Sequence, residues 1–195
     1  MKKLFQFALF FFSLVLFACG SSQKTTNDLG TELSDSKAHQ VWRKDMSSRA
    51  IGNGLHFREQ AAVNIAELQA RAVLARKIAT AIKFAAREEF GSDQIFVGND
   101  KVGLSNSDQS AGGVDRVEAI SEEIVRNAEV LEISRYKMKN NQYNVYVCVG
   151  YAGGKAEMSE KAFHALQQSI PDDQKQKLRD DRAKVIKNIQ ESFNK

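Results

Sequence analysis

Few side chains in this chain are of the kind that perform chemistry, and their spacing decides what they can do. The two cysteines, Cys19 and Cys148, are far apart, and the three histidines, His39, His56 and His164, share no short motif. A zinc site of the His-Glu-x-x-His kind needs two imidazoles one helical turn apart, and a structural zinc site needs more thiolates than are present. The histidines are therefore read as solvated or helix-capping. Adjacent acids occur at Glu88-Glu89, Glu122-Glu123, Asp172-Asp173 and Asp180-Asp181. Neighbours on a helix point apart, so these read as solvated surface or as complements to a helix dipole. Gly150-Tyr151-Ala152-Gly153-Gly154-Lys155 invites comparison with a phosphate-binding loop. Its first glycine stands one position too close to Gly154-Lys155, and Ala156 occupies the place of the Mg²⁺-binding hydroxyl. There is no Gly-x-Ser-x-Gly nucleophile motif. Trp42 and the tyrosines could face a sugar, but a single tryptophan reads more simply as packing. The expectation is a chain with no catalytic residue, no metal and no cofactor.

One cysteine stands in a different setting. Met1-Lys2-Lys3 is followed by an apolar run from Leu4 to Phe17, fourteen residues interrupted only by Gln6 and Ser13. A spanning helix needs about 20 apolar residues, so this run has the length of a signal peptide. It ends in Leu16-Phe17-Ala18-Cys19, which resembles the lipobox of bacterial lipoproteins, with Phe17 bulkier than the usual occupant. The spacing fits the chemistry: the Cys19 thiolate accepts a diacylglyceryl group, and a small Ala18 admits the peptidase to the next bond. The expectation is removal of residues 1–18, a lipidated Cys19 and a flexible tether over 19–40 that opens Gly20-Ser21-Ser22-Gln23-Lys24-Thr25-Thr26-Asn27. Lipid chains would hold the domain at a membrane surface without a spanning helix. Gly20, rather than an acid, after the cysteine resembles outer-membrane sorting in enteric bacteria.

Loss of Lys2 and Lys3 lowers the net charge from +4 to +2. Such a mild excess, with no basic stripe, does not point to a nucleic-acid partner. With Cys19 consumed by lipid, Cys148 has no partner for an intrachain disulfide and is expected to be buried.

The elements that would carry a site follow from periodicity. A first strand is expected over Arg49 to Phe57, with Gly52 and Gly54 inside it. Arg58 to Glu89 contains neither proline nor glycine and reads as one long helix. Ala61, Ile65, Leu68, Ala72, Ala75, Ala79, Ile82 and Ala86 fall on one face of it, widened by Ala62, Ala66 and Val73. That face suits a flat sheet, or a second copy of itself as a coiled coil. Gly91 stops the helix, Ile95-Phe96-Val97 reads as a short strand, and 98–113 as a loop. Val114 to Val125 fits a helix by spacing and a strand by composition. Val130 to Met138 and Tyr143 to Tyr151 read as a hairpin closed by Lys139-Asn140-Asn141-Gln142 in a tight primed turn. Tyr143, Val145, Val147, Val149 and Tyr151 share the face expected to meet the alanine helix, with Cys148 and Tyr146 opposite. Helices are expected from Glu157 to Gln168 and again after Ile170-Pro171-Asp172-Asp173. In the last helix the stripe Leu178, Val185, Ile189, Phe193 either packs on the domain or grips a partner.

The glycine-punctuated Ala50-Ile51-Gly52-Asn53-Gly54, the helix segment Ala66-Glu67-Leu68-Gln69-Ala70-Arg71-Ala72-Val73-Leu74-Ala75 and the strand Tyr143-Asn144-Val145-Tyr146-Val147-Cys148-Val149 together resemble the Lpp-twenty family of envelope lipoproteins. They are also similar to the N-terminal domain of the flagellar assembly protein T, whose Ala-Arg pair would be Ala70-Arg71 or Ala75-Arg76. The likeness runs from about Val41 to Tyr151. It implies an α+β domain over 41–154, a long alanine-rich helix packed on a small antiparallel sheet, and no catalytic residues. It does not cover the charged helical extension, 155–195. The function expected is a non-enzymatic, lipid-anchored protein of the cell envelope, at the outer membrane, with envelope proteins or copies of itself as partners. The alternatives are a flagellum-associated assembly factor, a periplasmic ligand- or glycan-binding module with a pocket rimmed by Trp42 or tyrosines, and a hydrolase with acids or histidines gathered by folding.

Overall fold

The computed structural model describes residues 36–91 and 117–194. Cys19, the segment before it, the strand expected at Ile95-Phe96-Val97 and the loop expected over 98–113 lie outside those residues. The architecture is α+β: a three-stranded antiparallel sheet of order β1-β3-β2 carries one long helix, with further helices beyond it.

The chain is already helical at α1 (Lys37–Lys44), within the stretch expected to be tether. Ser36 supplies the cap: its Oγ accepts a hydrogen bond from the His39 N–H at 3.3 Å, satisfying one of the free donors of the first turn. Buried Ala38 and a bond from its N–H to Ser134 Oγ at 3.0 Å fix α1 against the sheet.

Strand β1 (Arg49–His56) pairs with β3 (Tyr143–Gly150), which pairs in turn with β2 (Glu129–Lys137). The β2–β3 register slips between Val130 and Glu132, where a bulge bends the edge strand. The hairpin is not closed by a primed turn. The Asn141 N–H bonds Met138 O at 3.1 Å, and Asn141 alone takes the left-handed conformation, φ 62°. A turn followed by one left-handed residue is the three-residue loop, and asparagine tolerates that conformation.

Helix α2 (Glu59–Phe90) runs from the strand end to Gly91, whose φ of 72° closes it as a left-handed cap. It lies directly on β1. A Cβ added at Gly52 would stand 2.0 Å from Ala66 O, and one at Gly54 would stand 1.9 Å from Ala62 O. The two backbones therefore meet with no side chain between them, which requires glycine on the strand and alanine on the helix. Val145 and Val147 of β3 bury against Ala62, Val63 and Ala66, as the alternation of that strand predicts.

This close approach corrects the helix face. In the first half of α2 Ala62 and Ala66 are buried as expected, joined by Val63, Ala70 and Leu74, whereas Ile65, Leu68 and Ala72, expected inward, are exposed. In the second half the expected residues Ala75, Ala79, Ile82 and Ala86 are buried.

Residues 117–126 form α3, which resolves the helix-or-strand ambiguity for that part of the segment. Its last carbonyls are held from two sides. Arg71 of α2 donates to Val125 O at 2.6 Å and Ala128 O at 3.1 Å, and the Tyr151 hydroxyl donates to Ile124 O at 2.8 Å. Beyond β3 come α4 (Gly154–Ser169), α5 (Asp172–Asp180) and α6 (Arg182–Ser192). The single last helix expected from the sequence is broken at Asp181, which leaves helical geometry at φ −94° and ψ 14°. Leu178, Val185 and Ile189 are fully buried and share one core with Ile78, Ile82, Phe163 and Leu166, so the stripe packs on the second half of α2.

Candidate functional site

The residues singled out for chemistry are kept apart. His39 sits on α1, its Nδ1 2.8 Å from Ser36 Oγ. His56 accepts the Arg58 N–H at 2.9 Å through Nδ1, just ahead of α2. His164 is exposed on α4. Among the described residues no three His, Cys, Asp or Glu side chains stand where they could hold a metal. In the glycine-lysine loop Gly154 is left-handed, φ 60°, and the Gly153 N–H that a phosphate would need is given to Glu157 Oε2 at 3.0 Å. Lys155 Nζ reaches Asn194 instead.

Cys148 is fully buried and free. Burial pushes its thiol up to about 11 and outweighs the favourable charges of Arg49 and Lys77. Since the thiolate is the reactive form, native protein at pH 8 should leave Cys148 unmodified by a thiol reagent over hours, with stoichiometric labelling in denaturant. Rapid labelling of the native chain at Cys148, read by peptide mass, would contradict this burial.

Of the paired acids, Glu89 departs from the expectation of a solvated surface. Its side chain is 1% exposed and lies between Lys177 Nζ at 3.2 Å and Lys184 Nζ at 2.9 Å. Burial raises the carboxyl, but the hydrogen bonds and charges of the two lysines prevail and hold it below its ordinary value. Lys177 also donates to Glu89 O at 2.7 Å, supplying a cation at the C-terminal end of α2. The partners come from two helices, 88 and 95 residues away, so no local pattern could reveal them.

A groove of about 480 Å³ lies at the free edge of β1. His39 and Tyr146 wall it on the α1 side, Gln69, Val73 and Arg76 of α2 wall the other, and Ile51 and Asn53 line the strand between. The edge itself is partly closed. Lys77 Nζ donates to Arg49 O at 2.8 Å and Met46 O at 2.6 Å, and Gln69 Oε1 accepts the Asn53 N–H at 3.2 Å. Asn53 Nδ2 is turned inward to Asn144 Oδ1 at 2.5 Å. Desolvation lowers the pKa of half-buried Lys77 against the pull of Asp45. Some large apolar side chains of these elements are exposed: Leu55 of β1 is 49% and Leu68 of α2 68% exposed, and Phe57 and Ile65 are exposed as well. The arrangement offers strand backbone and apolar side chains, not a reacting group, and its chemistry is that of contact. Sequence reasoning missed the groove because Tyr146, Asn53 and Gln69 come from three elements.

No family model, curated protein or solved structure matches this chain.

Proposed function

We propose that this chain is a lipid-anchored protein of the cell envelope, held at the outer membrane through Cys19, whose folded domain acts by protein contact and carries out no catalysis. The observation that carries the reading is Leu16-Phe17-Ala18-Cys19 at the end of a fourteen-residue apolar run. Three features support it. The chemistry-bearing residues of the described domain are dispersed or engaged in structural bonds. Leu55, Phe57, Ile65 and Leu68 are large apolar residues left exposed, and the edge of β1 is the kind of element at which proteins commonly receive a partner. Among the described residues, no helix is long and apolar enough to cross a membrane. Membership of the Lpp-twenty family, with its likeness to the flagellar assembly domain, belongs to the same proposal. It rests on the pairing of Gly52 and Gly54 with a small-residue helix and on the closing strand Tyr143–Val149.

A glycan-binding module is the reading of a different class. The groove offers the Asn53 and Gln69 amides, but the Tyr146 ring lies 4.7 Å from the His39 ring, centroid to centroid. A stacked sugar would lack a clear aromatic face, and the contact reading is preferred.

Cell fractionation tests the anchor. The wild-type chain should stay with membranes through high-salt and carbonate washes and be released by detergent. Cys19→Ala should either appear in the soluble fraction or accumulate at the precursor mass. Equal release of both chains by salt alone would overturn the lipid anchor.

A further inference from the structure

We propose that the free edge of β1 receives the extended C-terminus of a partner protein, paired antiparallel to residues 51–55, with its terminal carboxylate held at Arg76. The proposal names the chemistry of the partner for the protein-contact role above, and rests on that reading.

The strand edge sets the length and direction of the occupant. β1 lies at the sheet edge, bonded only to β3. The Asn53 N–H points to the free side, where Gln69 receives it, and the Arg49 carbonyl points there too, where Lys77 donates to it. The odd-numbered residues of β1 therefore turn their backbone groups outward. The Asn53 side chain does not obstruct them, since its Nδ2 is turned inward to Asn144. Lys77 Nζ, 2.8 Å from Arg49 O, closes the edge at that end, as charged side chains do on edge strands. The stretch left open, residues 51–55, spans roughly 14 Å at about 3.4 Å per residue, the length of a five-residue extended peptide. Both pairings in this sheet are antiparallel, and a strand added in the same sense reaches the closed end with its C-terminus. Once it has faced Ile51 it has to stop or leave the sheet.

The chemistry at the closed end suits a chain terminus. Arg76 lines the groove and precedes Lys77 on α2, so it stands at the same end of the edge. Among the described residues its guanidinium bonds only to Ala72 O of its own helix, at 3.3 Å. No acid among the described residues lines the groove. Asp45, the acid that acts on Lys77, is held by the hydroxyls of Ser47 and Ser48, and Glu67 is paired with Arg71. A last residue opposite Ile51 places its carboxylate where the Ile51 N–H donates to it, with the Arg76 guanidinium as the charged donor.

Register and sterics favour a lone strand. Side chains of the last, third-last and fifth-last residues of the peptide fall on the face of Ile51, Asn53 and Leu55, which Tyr146 shares as the partner of Asn53. Ile51 and Leu55 thus offer apolar cross-strand neighbours at the two ends. The two intervening side chains fall on the α2 side, along Gln69 and Val73. A second copy adding its own β1 antiparallel would bring along the α2 that lies directly on it. The two helices would then stand about one strand spacing, ~4.8 Å, apart, inside the 8–10 Å at which helices pack. An internal segment of a partner would have to pass Lys77, whereas a terminus ends before it.

The test uses the full chain, extracted from membranes in detergent, and two peptide pools with five randomised positions behind a Gly-Ser spacer. One pool ends in a free carboxylate and the other in a carboxamide. Peptides retained by the chain, and not by empty micelles, are read by mass spectrometry. The free-acid pool should be retained, with apolar residues enriched at the last and fifth-last positions. The amide pool should be retained roughly 10-fold less, and Arg76→Gln, an exposed position, should abolish that difference without changing the circular dichroism spectrum. The best-retained acid peptide should also slow amide hydrogen exchange at Ile51 and Leu55, which a carboxylate resting on Arg76 alone would leave unchanged. Retention of neither pool, equal retention of both, or selection of internal Asp and Glu from the amide pool would each overturn the proposal, as would unchanged exchange in β1. Membrane retention of Cys19 chains in the same preparations reports on the anchor separately, so loss of peptide binding and loss of the envelope reading are told apart.

Discussion

Replacing Gly54 with alanine should cost about 3 kcal/mol or more and lower the melting temperature by roughly 10 °C, the largest effect expected of any single methyl group in this domain. The added Cβ would stand 1.9 Å from Ala62 O and 2.8 Å from Ala66 N, and neither neighbour is a side chain that can swing away. Relief requires α2 to lift from β1, which opens the contact of Val145 and Val147 with Ala62, Val63 and Ala66. Gly52→Ala should behave alike, with Ala66 O at 2.0 Å from the new carbon. Gly91→Ala is the informative comparison. Nothing lies near a Cβ there, so its cost should be confined to the left-handed backbone, about 1 kcal/mol. Thermal melts followed by far-ultraviolet circular dichroism would rank the three variants. A Gly54→Ala melt within a degree or two of wild type would mean that the helix does not rest on the strand backbone.

Glu89→Gln should destabilise the protein by about 2 kcal/mol, with the damage concentrated in α5 and α6. The carboxylate is buried, but the two lysines that hold it are more than half exposed, so solvent screening keeps the loss below the sum of two charge-assisted bonds. Hydrogen exchange should show Leu178, Val185 and Ile189 losing protection ahead of the sheet. The pH dependence has a definite sign. Glu89 titrates below its unfolded value near 4.5, so its contribution is fully present above that pH and is lost as pH falls through the lower folded value. The difference in stability between wild type and Glu89→Gln should therefore hold from neutral pH down to about 4.5 and shrink as the pH falls on through the lower folded value, because protonation leaves both chains uncharged at that position. A difference that stayed constant over that range would assign the effect to packing and not to the ion pairs.

How much of this was legible in the sequence depended on how far apart the cooperating residues lie. β1, β3 and the bounds of α2 were legible, because alternation in Tyr143 to Tyr151, the absence of breakers after Arg58 and the stop at Gly91 are local signals. The hairpin was legible as a hairpin, while its turn type hinged on the conformation of Asn141 alone. The inward face of the first half of α2 was misread for a physical reason. Periodicity rewards Ile65 and Leu68 for their size, whereas contact with a glycine strand selects the smallest residues, and Ala62, Ala66 and Ala70 win that position. α1 was missed although Ser36 is an ordinary cap, because Lys37, His39 and Gln40 look like polar tether. Glu89 and the groove at the β1 edge join residues from separate elements, and only folding brings them together.

The measurement that bears most directly on the account is the intact mass of the mature chain purified from membranes. The account predicts a protein that begins at Cys19 and carries the added mass of a diacylglyceryl group, with any further acyl chain on the same residue, and its release as a precursor or a soluble chain when Cys19 is replaced. A chain recovered with an unmodified Cys19, whether it starts at Met1 or elsewhere, would contradict it.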